Sequence, residues 1–334
     1  MFQRTANSIG SIGKHGLLGT CLLLLMNVTA WAADPGVTPP NTSEVSDQKL
    51  GSVLVFPYYT SSASIPNSHN TRIFLTNQSG TTVVTLHLFL VAGSDGSVAD
   101  TFICLTGNQT TNFVISDVDP GVTGYLVIVA INSTTGVPIN FNNLCGEADV
   151  KLNTGHRASF KAEAIAAINL PSFPVDVPAT LNFDGNAYNR MPRALAMNKI
   201  RSRLDGNSTI LALARITGNY LAATDAIGGL SGNLYDDAAN AAPFTLNPAS
   251  PQLVQTLSNT FPPTSPVLDT VIPAGRTGWL HVAKTTDVGL FGVLLNFNPN
   301  SSSSPSAFNG GHSLRLMTLS TSNSITIPVA APPC

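Results

Sequence analysis

The feature that most constrains this 334-residue chain is that it repeats itself. Thr123-Gly124-Tyr125-Leu126 recurs as Thr277-Gly278-Trp279-Leu280, Ile139-Asn140-Phe141-Asn142 recurs as Leu295-Asn296-Phe297-Asn298, and Gly155-His156 recurs as Gly311-His312. The offsets are 154, 156 and 156 residues, and three matches in one order at nearly constant spacing indicate a duplicated unit. Asn70-Thr71-Arg72-Ile73 against Asn207-Ser208-Thr209-Ile210 adds a fourth match at a shorter offset. In this reading Thr-Gly forms a turn before a strand whose aromatic residue opens the buried face, so Tyr125 and Trp279 are both expected in a core.

The unit being repeated reads as β structure. Short β-branched and aromatic runs, such as residues 52–59, 82–91 and 124–132, are broken by Gly, Pro and Asn. Val84, Leu86, Leu88 and Leu90 alternate with Thr85, His87 and Phe89, as on a strand with two unlike faces. Asp95-Gly96 between two such runs predicts a hairpin turn. The expected fold is all-β: two tandem Ig-like β-sandwich domains related by internal duplication, with one or two short helices. The first domain spans residues 48–175 and the second 176–334, the latter with a Gly/Ala-rich loop insertion over 222–242. One short helix is expected within 190–204, where Ala196, Ile200 and Leu204 fall at helical spacing before Gly206. A second is expected after Ser250-Pro251, a capping residue and a first-turn proline ahead of Leu253, Val254 and Leu257.

Ahead of the repeats, residues 1–32 have the parts of a secretory signal peptide: Arg4 and Lys14, an apolar stretch from Leu17 to Met26, and the small-x-small site Ala30-Trp31-Ala32. Residues 33–47, rich in Pro, Thr and Ser, read as a flexible leader. Cys21 lies inside the apolar stretch, which argues against lipidation. No later run reaches 18 apolar residues, so no transmembrane segment is expected after signal cleavage. With 16 Lys+Arg against 18 Asp+Glu the chain lacks the basic footprint of a nucleic-acid binder. The expected location is extracellular, at the cell surface or in the periplasm. There Cys104 and Cys145 are the natural disulfide pair, closing a loop of about 40 residues for a gain on the order of 4 kcal/mol. Cys334 is then free, paired with another chain, or a competitor for one of the other two.

The run Gly51-Ser52-Val53-Leu54-Val55-Phe56-Pro57-Tyr58-Tyr59-Thr60, the strand Asp100 to Leu105 with Thr106, and Leu234-Tyr235-Asp236-Asp237-Ala238 resemble segments of uncharacterised exported bacterial β-sandwich proteins. The resemblance covers most of the mature chain. It implies export and carries over no activity, ligand or functional residue.

Chemistry-bearing motifs are sparse. The sequence has no H-E-x-x-H, P-loop or paired Cys-x-x-Cys, and Gly229-Leu230-Ser231-Gly232-Asn233 lacks the last glycine of a nucleophile elbow. Asp236-Asp237 is the best calcium candidate among Asp/Asn-rich turns that also include Asp117-Val118-Asp119 and Asp184-Gly185-Asn186. His156 and His312 would hold equivalent places in the two copies; His281 reads as structural. Arg190, Arg193, Lys199, Arg201 and Arg203 concentrate basic charge in 14 positions, and a solvated connector between domains explains them more simply than an anionic partner does. Tyr58 and Tyr59, if exposed, could stack on sugars. The favoured function is a secreted or surface-associated structural or interaction protein without catalytic activity, its partners being other envelope or extracellular proteins, glycans, or further copies of itself. The alternatives are an envelope- or glycan-binding module using Tyr58, Tyr59 or the 222–242 loop, and a hydrolase using Asp236 and Asp237 with a histidine.

Overall fold

The structure, a computed structural model, describes residues 45–300 and 309–330. The expected signal peptide, most of the expected leader, Cys21 and Cys334 lie outside the described residues. Nine strands form the first half: β1 (Val53–Thr60), β2 (Asn70–Asn77), β3 (Val84–Ala92), β4 (Val98–Leu105), β5 (Thr110–Val114), β6 (Thr123–Ile131), β7 (Leu144–Lys151), β8 (Arg157–Lys161) and β9 (Glu163–Ile165). The second half contains β10 (Ala179–Asn182), β11 (Pro192–Arg201), β12 (Ser208–Ile216), β13 (Gly218–Asn219), β14 (Leu230–Tyr235), β15 (Ala241–Leu246), β16 (Gln252–Thr256), β17 (Thr277–Lys284), β18 (Gly289–Phe297), β19 (Gly310–Ser313), β20 (Arg315–Leu319) and β21 (Ser324–Ile327). One four-residue helix, α1 (Leu268–Val271), interrupts the strands. The fold is an all-β sandwich.

The strand order repeats. A first wide sheet runs β4-β3-β6-β1-β9 over a narrow sheet β5-β2-β7-β8; a second wide sheet runs β15-β14-β17-β11-β20 over a narrow sheet β16-β12-β18-β19. Taking β1 with β11, β2 with β12, β3 with β14 and so on to β9 with β20, every neighbour is reproduced. Even a bulge is reproduced: the β1/β6 register slips between Phe56 and Tyr59, and the β11/β17 register slips between Met197 and Ile200. Thr123-Gly124 and Thr277-Gly278 open β6 and β17 at matching register points, opposite Thr60-Tyr59 and Arg201-Ile200. They lie in the strands and do not form a turn. A Cβ on Gly124 would sit 2.0 Å from the Val91 carbonyl oxygen, and one on Gly278 would sit 2.4 Å from that of Tyr235, so close backbone approach explains the glycine in both copies.

The other repeated motifs are not equivalent in space. Phe141 precedes β7 whereas Phe297 ends β18, and His156 lies in the turn before β8 whereas His312 is inside β19. Matching the narrow sheets by their core-facing sides aligns Thr71, Ile73 and Leu75 with Thr209, Leu211 and Leu213, one residue off the Asn70/Asn207 alignment. Such a slip reverses which face each side chain takes.

Both predicted helices are strands. Residues 192–201 form β11 because Leu195 and Met197 alternate into the core, and 252–256 form β16 against β12. In each, tertiary pairing overrides a short-range helical signal. The 222–242 stretch is not one loop: Leu230–Tyr235 is β14, hairpinned to β15. Asp95-Gly96 does make the β3–β4 hairpin, with Gly96 at φ 76° and the Asp95 carboxylate accepting from the Ser97 amide at 3.0 Å.

The cores explain the long apolar runs. Leu54, Phe56, Leu86, Leu88, Leu126 and Ile128 face the first narrow sheet. Val53, Val55, Phe89, Tyr125, Val127 and Val129, on the other face, are covered by Leu181, Ile325 and Ile327 of a three-stranded sheet, β10-β21-β13, and by Phe183 just after β10. β1, β3 and β6 are therefore buried on both sides, which is why they are near-continuously hydrophobic. In the second half Leu211, Leu213, Leu290 and Leu294 face their own wide sheet, while Ala212, Val293 and Leu295 join the first core. The described residues belong to one compact unit with shared cores.

The Cys104–Cys145 bridge is not formed; Cys145 is a free thiol. Cys104 lies on β4 between Ile103 and Leu105, which face the first core, and Cys145 lies on β7 between Leu144 and Gly146, which also face inward. Alternation turns both cysteines to opposite outer faces of one sandwich. Sheets stack about 10 Å apart and a disulfide needs Cα atoms within about 7 Å, so loop length alone chose the wrong pair.

Candidate functional site

The two wide sheets have the same topology and different outer faces. On the first, Phe89 pairs with Val127 and Val91 with Tyr125, all buried. The matching pairs on the second are Asn233 with His281 and Tyr235 with Trp279, all partly exposed. The Tyr235 and Trp279 rings are parallel within 5° with centroids 3.6 Å apart. Neighbouring antiparallel strands hold them directly opposite each other, the arrangement in which cross-strand aromatics stack. Trp279 is therefore a partly exposed residue on the outer face. It was expected in the core because Tyr125 holds the matching place, but among the described residues only the first copy has a third sheet over that place.

Around the ring pair the face is polar. His281 is half-buried, and burial lowers its pKa; its Nε2 is buried without a hydrogen-bond partner among the described residues. Just beyond the ends of β14 and β17, the Arg276 guanidinium clasps Asp237 with both arms, donating through Nη2 to Oδ1 at 2.6 Å and through Nε to Oδ2. The pairing holds the Asp237 carboxyl below its ordinary range. Asp236 closes the β14–β15 turn, accepting from the Ala238 amide at 2.9 Å, the Asn240 amide at 2.8 Å and Asn240 Nδ2 at 2.7 Å, and these bonds likewise lower its pKa. Both carboxylates are thus engaged, Asp236 in binding its own turn and Asp237 in binding a guanidinium.

The cation that Asp237 does hold is Arg276. Among the described residues no three His, Cys, Asp or Glu side chains gather into a potential metal site. Asp184 caps its own turn through the Asn186 and Ala187 amides, and Asp119 accepts a 2.6 Å bond from the Tyr59 hydroxyl.

Tyr58 and Tyr59 are not a surface platform. They are 4% and 0% exposed and belong to the first core. Burial raises both phenols, that of Tyr58 to about 12. His156 stacks near Phe297, with its Nδ1 3.0 Å from the Thr154 hydroxyl, and has no counterpart role to His312. The basic stretch is not one surface either. Arg190 donates to the Asp184 carbonyl at 3.0 Å, Arg193 lies 3.6 Å from Asp287, and Arg203 pairs with Asp269. Lys199 and Arg201 line a cavity of about 330 Å³ together with His312.

Trp279, Tyr235, Asn233 and His281 were each visible in the sequence, but reading them as a face needs the pairing register and the missing cover. Charge spacing and motif matching carry neither.

No family profile and no curated protein matches the chain. Among solved structures the chain is similar to one from the cowpea mosaic virus top component, naturally occurring empty particles, at 8% identity and a TM-score of 0.18, over 92% of this chain and 96% of that one. A likeness that slight carries no functional argument, so the reading of function rests on this chain's own geometry.

Proposed function

We propose that the chain is an exported, non-catalytic interaction protein that binds a glycan on the outer face of its second wide sheet. The observation that carries this reading is the partly exposed Tyr235–Trp279 stack, set where the first copy has buried Val91 and Tyr125. Aromatic rings offer an apolar face to the C–H side of a sugar, and the neighbouring Asn233 and Arg276 offer hydrogen bonds to its hydroxyls. A large, rigid sheet suits such a site because its side chains are pre-positioned and little ordering is left to the binding step. Export is supported by the signal-like residues 1–32 and by the sparse charge of the chain.

Affinity electrophoresis of the purified protein through gels containing bacterial and plant polysaccharides tests the proposal. At least one polysaccharide should retard the protein. Trp279→Ala and Tyr235→Ala should each weaken retention roughly tenfold or more, equivalent to about 1.4 kcal/mol. Retention unchanged in both variants, or absent with every polysaccharide, overturns the reading.

A further inference from the structure

The duplication allows the two sandwich mouths to be compared position by position. In the shared register Tyr58 of the β1 bulge corresponds to Lys199 of the β11 bulge, since Phe56 and Met197 pair with Leu126 and Leu280 on one side and Thr60 and Arg201 pair with Thr123 and Thr277 on the other. On the narrow sheets Gly146 lies opposite Leu75 and Gly292 opposite Leu213. Counting outward from that pair, Ala148 corresponds to Leu294 and Val150 to Asn296. Phe160, opposite Ala148, corresponds to His312, opposite Leu294.

In the first copy Tyr58, Val150 and Phe160 are all buried and close the mouth as part of the core. In the second the same three positions hold Lys199, Asn296 and His312, and with Asn198, Arg201, Thr209 and Leu294 they line the cavity of about 330 Å³. An apolar plug in one copy gives way, in the other, to an open cavity edged by polar side chains. Among the described residues that line it are Lys199 and Arg201 and no carboxylate. The Lys199 ammonium makes no ion pair or hydrogen bond among the described residues, and its backbone sits at φ 55°, a costly conformation for a residue with a side chain. His312 Nδ1 lies 3.0 Å from the Ser313 carbonyl oxygen, which fixes the ring and leaves Nε2 for another partner. The Thr209 hydroxyl donates to Asn296 Oδ1 at 2.6 Å, and Asn296 in turn donates to Asn207 at 3.1 Å, so the cavity's amide is held in one orientation.

We propose that this mouth is a binding site for an acidic sugar, with Lys199 taking the carboxylate and Asn198 and His312 taking hydroxyls. The number of neutral donors and acceptors beside the two cations favours a hydroxyl-rich ligand over a bare oxyanion, and Leu294 supplies an apolar floor for the ring. The cavity opens where β11 ends and β17 begins, the same end of the sandwich as Tyr235 and Trp279. The proposal deepens the glycan reading by naming a charged sugar, but its evidence and its test are separate.

Titration calorimetry of the whole protein with sodium glucuronate, glucose and sodium sulfate decides it. Glucuronate should bind, and glucose and sulfate should each bind at least tenfold more weakly. Lys199→Gln and His312→Gln should weaken glucuronate at least tenfold and about threefold respectively, with an unchanged near-UV circular dichroism spectrum confirming the fold. Trp279→Ala should leave glucuronate affinity intact even where it abolishes polysaccharide retention. Sulfate binding as tightly as glucuronate, glucuronate binding indifferent to Lys199, or no binding at all would overturn the acidic-sugar site. Glucuronate binding that depends on Lys199, in a chain that no polysaccharide retards, keeps the pocket and refutes the aromatic face.

Discussion

Glu163 is a buried carboxyl whose chemistry is far from ordinary. It lies on β9 opposite Val55, 3% exposed, with Oε2 lacking a hydrogen-bond partner among the described residues. Burial, with help from the nearby Asp47 charge, raises its pKa from 4.5 to about 8, and the Ser313 hydroxyl only partly opposes this. The folded state thus holds a proton that the unfolded state releases. The stabilisation is fully present below about pH 4.5, declines as pH rises, and is gone above about pH 8. Its full size is on the order of several kcal/mol, and structural relaxation will reduce it. Glu163→Gln keeps the shape and removes the ionisation. Urea midpoints measured between pH 5 and pH 8 should fall with pH in the parent and fall less in the variant, which should be the more stable of the two at pH 8. Parallel pH profiles would show that Glu163 ionises freely in the folded protein.

At the scale of elements, one buried amide ties the second copy to an irregularity of the first. Gln252 opens β16 in the second half, and its Nε2 donates to the Pro57 carbonyl at 2.9 Å and to the Gly124 carbonyl at 2.7 Å. Pro57 lies within the β1 bulge and Gly124 at its edge on β6, and a bulge leaves backbone groups in need of a partner. The strand predicted as a helix thus satisfies the irregularity of the other copy. Gln252→Ala would leave two buried carbonyls without this donor and should cost roughly 2–4 kcal/mol, at about 1–2 kcal/mol per orphaned group. Guanidinium denaturation should show a lower midpoint at unchanged m-value. A midpoint within error of the parent would mean that water replaces the amide without penalty.

For the whole molecule the decisive fact is that the cores cross the repeat boundary. Ala212, Val293 and Leu295 of the second half lie in the first core, and Ala214, Ile216 and Phe291 pack beneath the outer face of the first wide sheet with Tyr188 and Met191. Tyr125 also reaches Thr224 through its hydroxyl at 3.2 Å. Separating the halves would expose each of these side chains, at roughly 1.5–3 kcal/mol for the larger ones. Calorimetry should therefore give one cooperative unfolding transition, with calorimetric and van't Hoff enthalpies in agreement. Two resolved transitions would mean that the halves are independent bodies joined by a weak contact.

What the sequence by itself determined is the β class, the duplication, the Asp95-Gly96 hairpin and the long apolar strands, because period-two patterning and turn chemistry act within a few residues. It located the Thr-Gly pair correctly but explained it as a turn, whereas the glycine is demanded by a carbonyl on the neighbouring strand. It also offered helices at 190–204 and after Ser250, where apolar spacing is ambiguous over so few residues. Only the tertiary structure decided which copy is covered. Val91 and Tyr125 are core, and Tyr235 and Trp279 are surface, because the three-stranded sheet covers one wide sheet and leaves the other open. The same holds at the mouths, where Tyr58 and Phe160 are plugs and Lys199 and His312 line an opening. A side chain's exposure depends on what packs above it, and that partner comes from residues tens to hundreds of positions away, beyond the reach of local pattern.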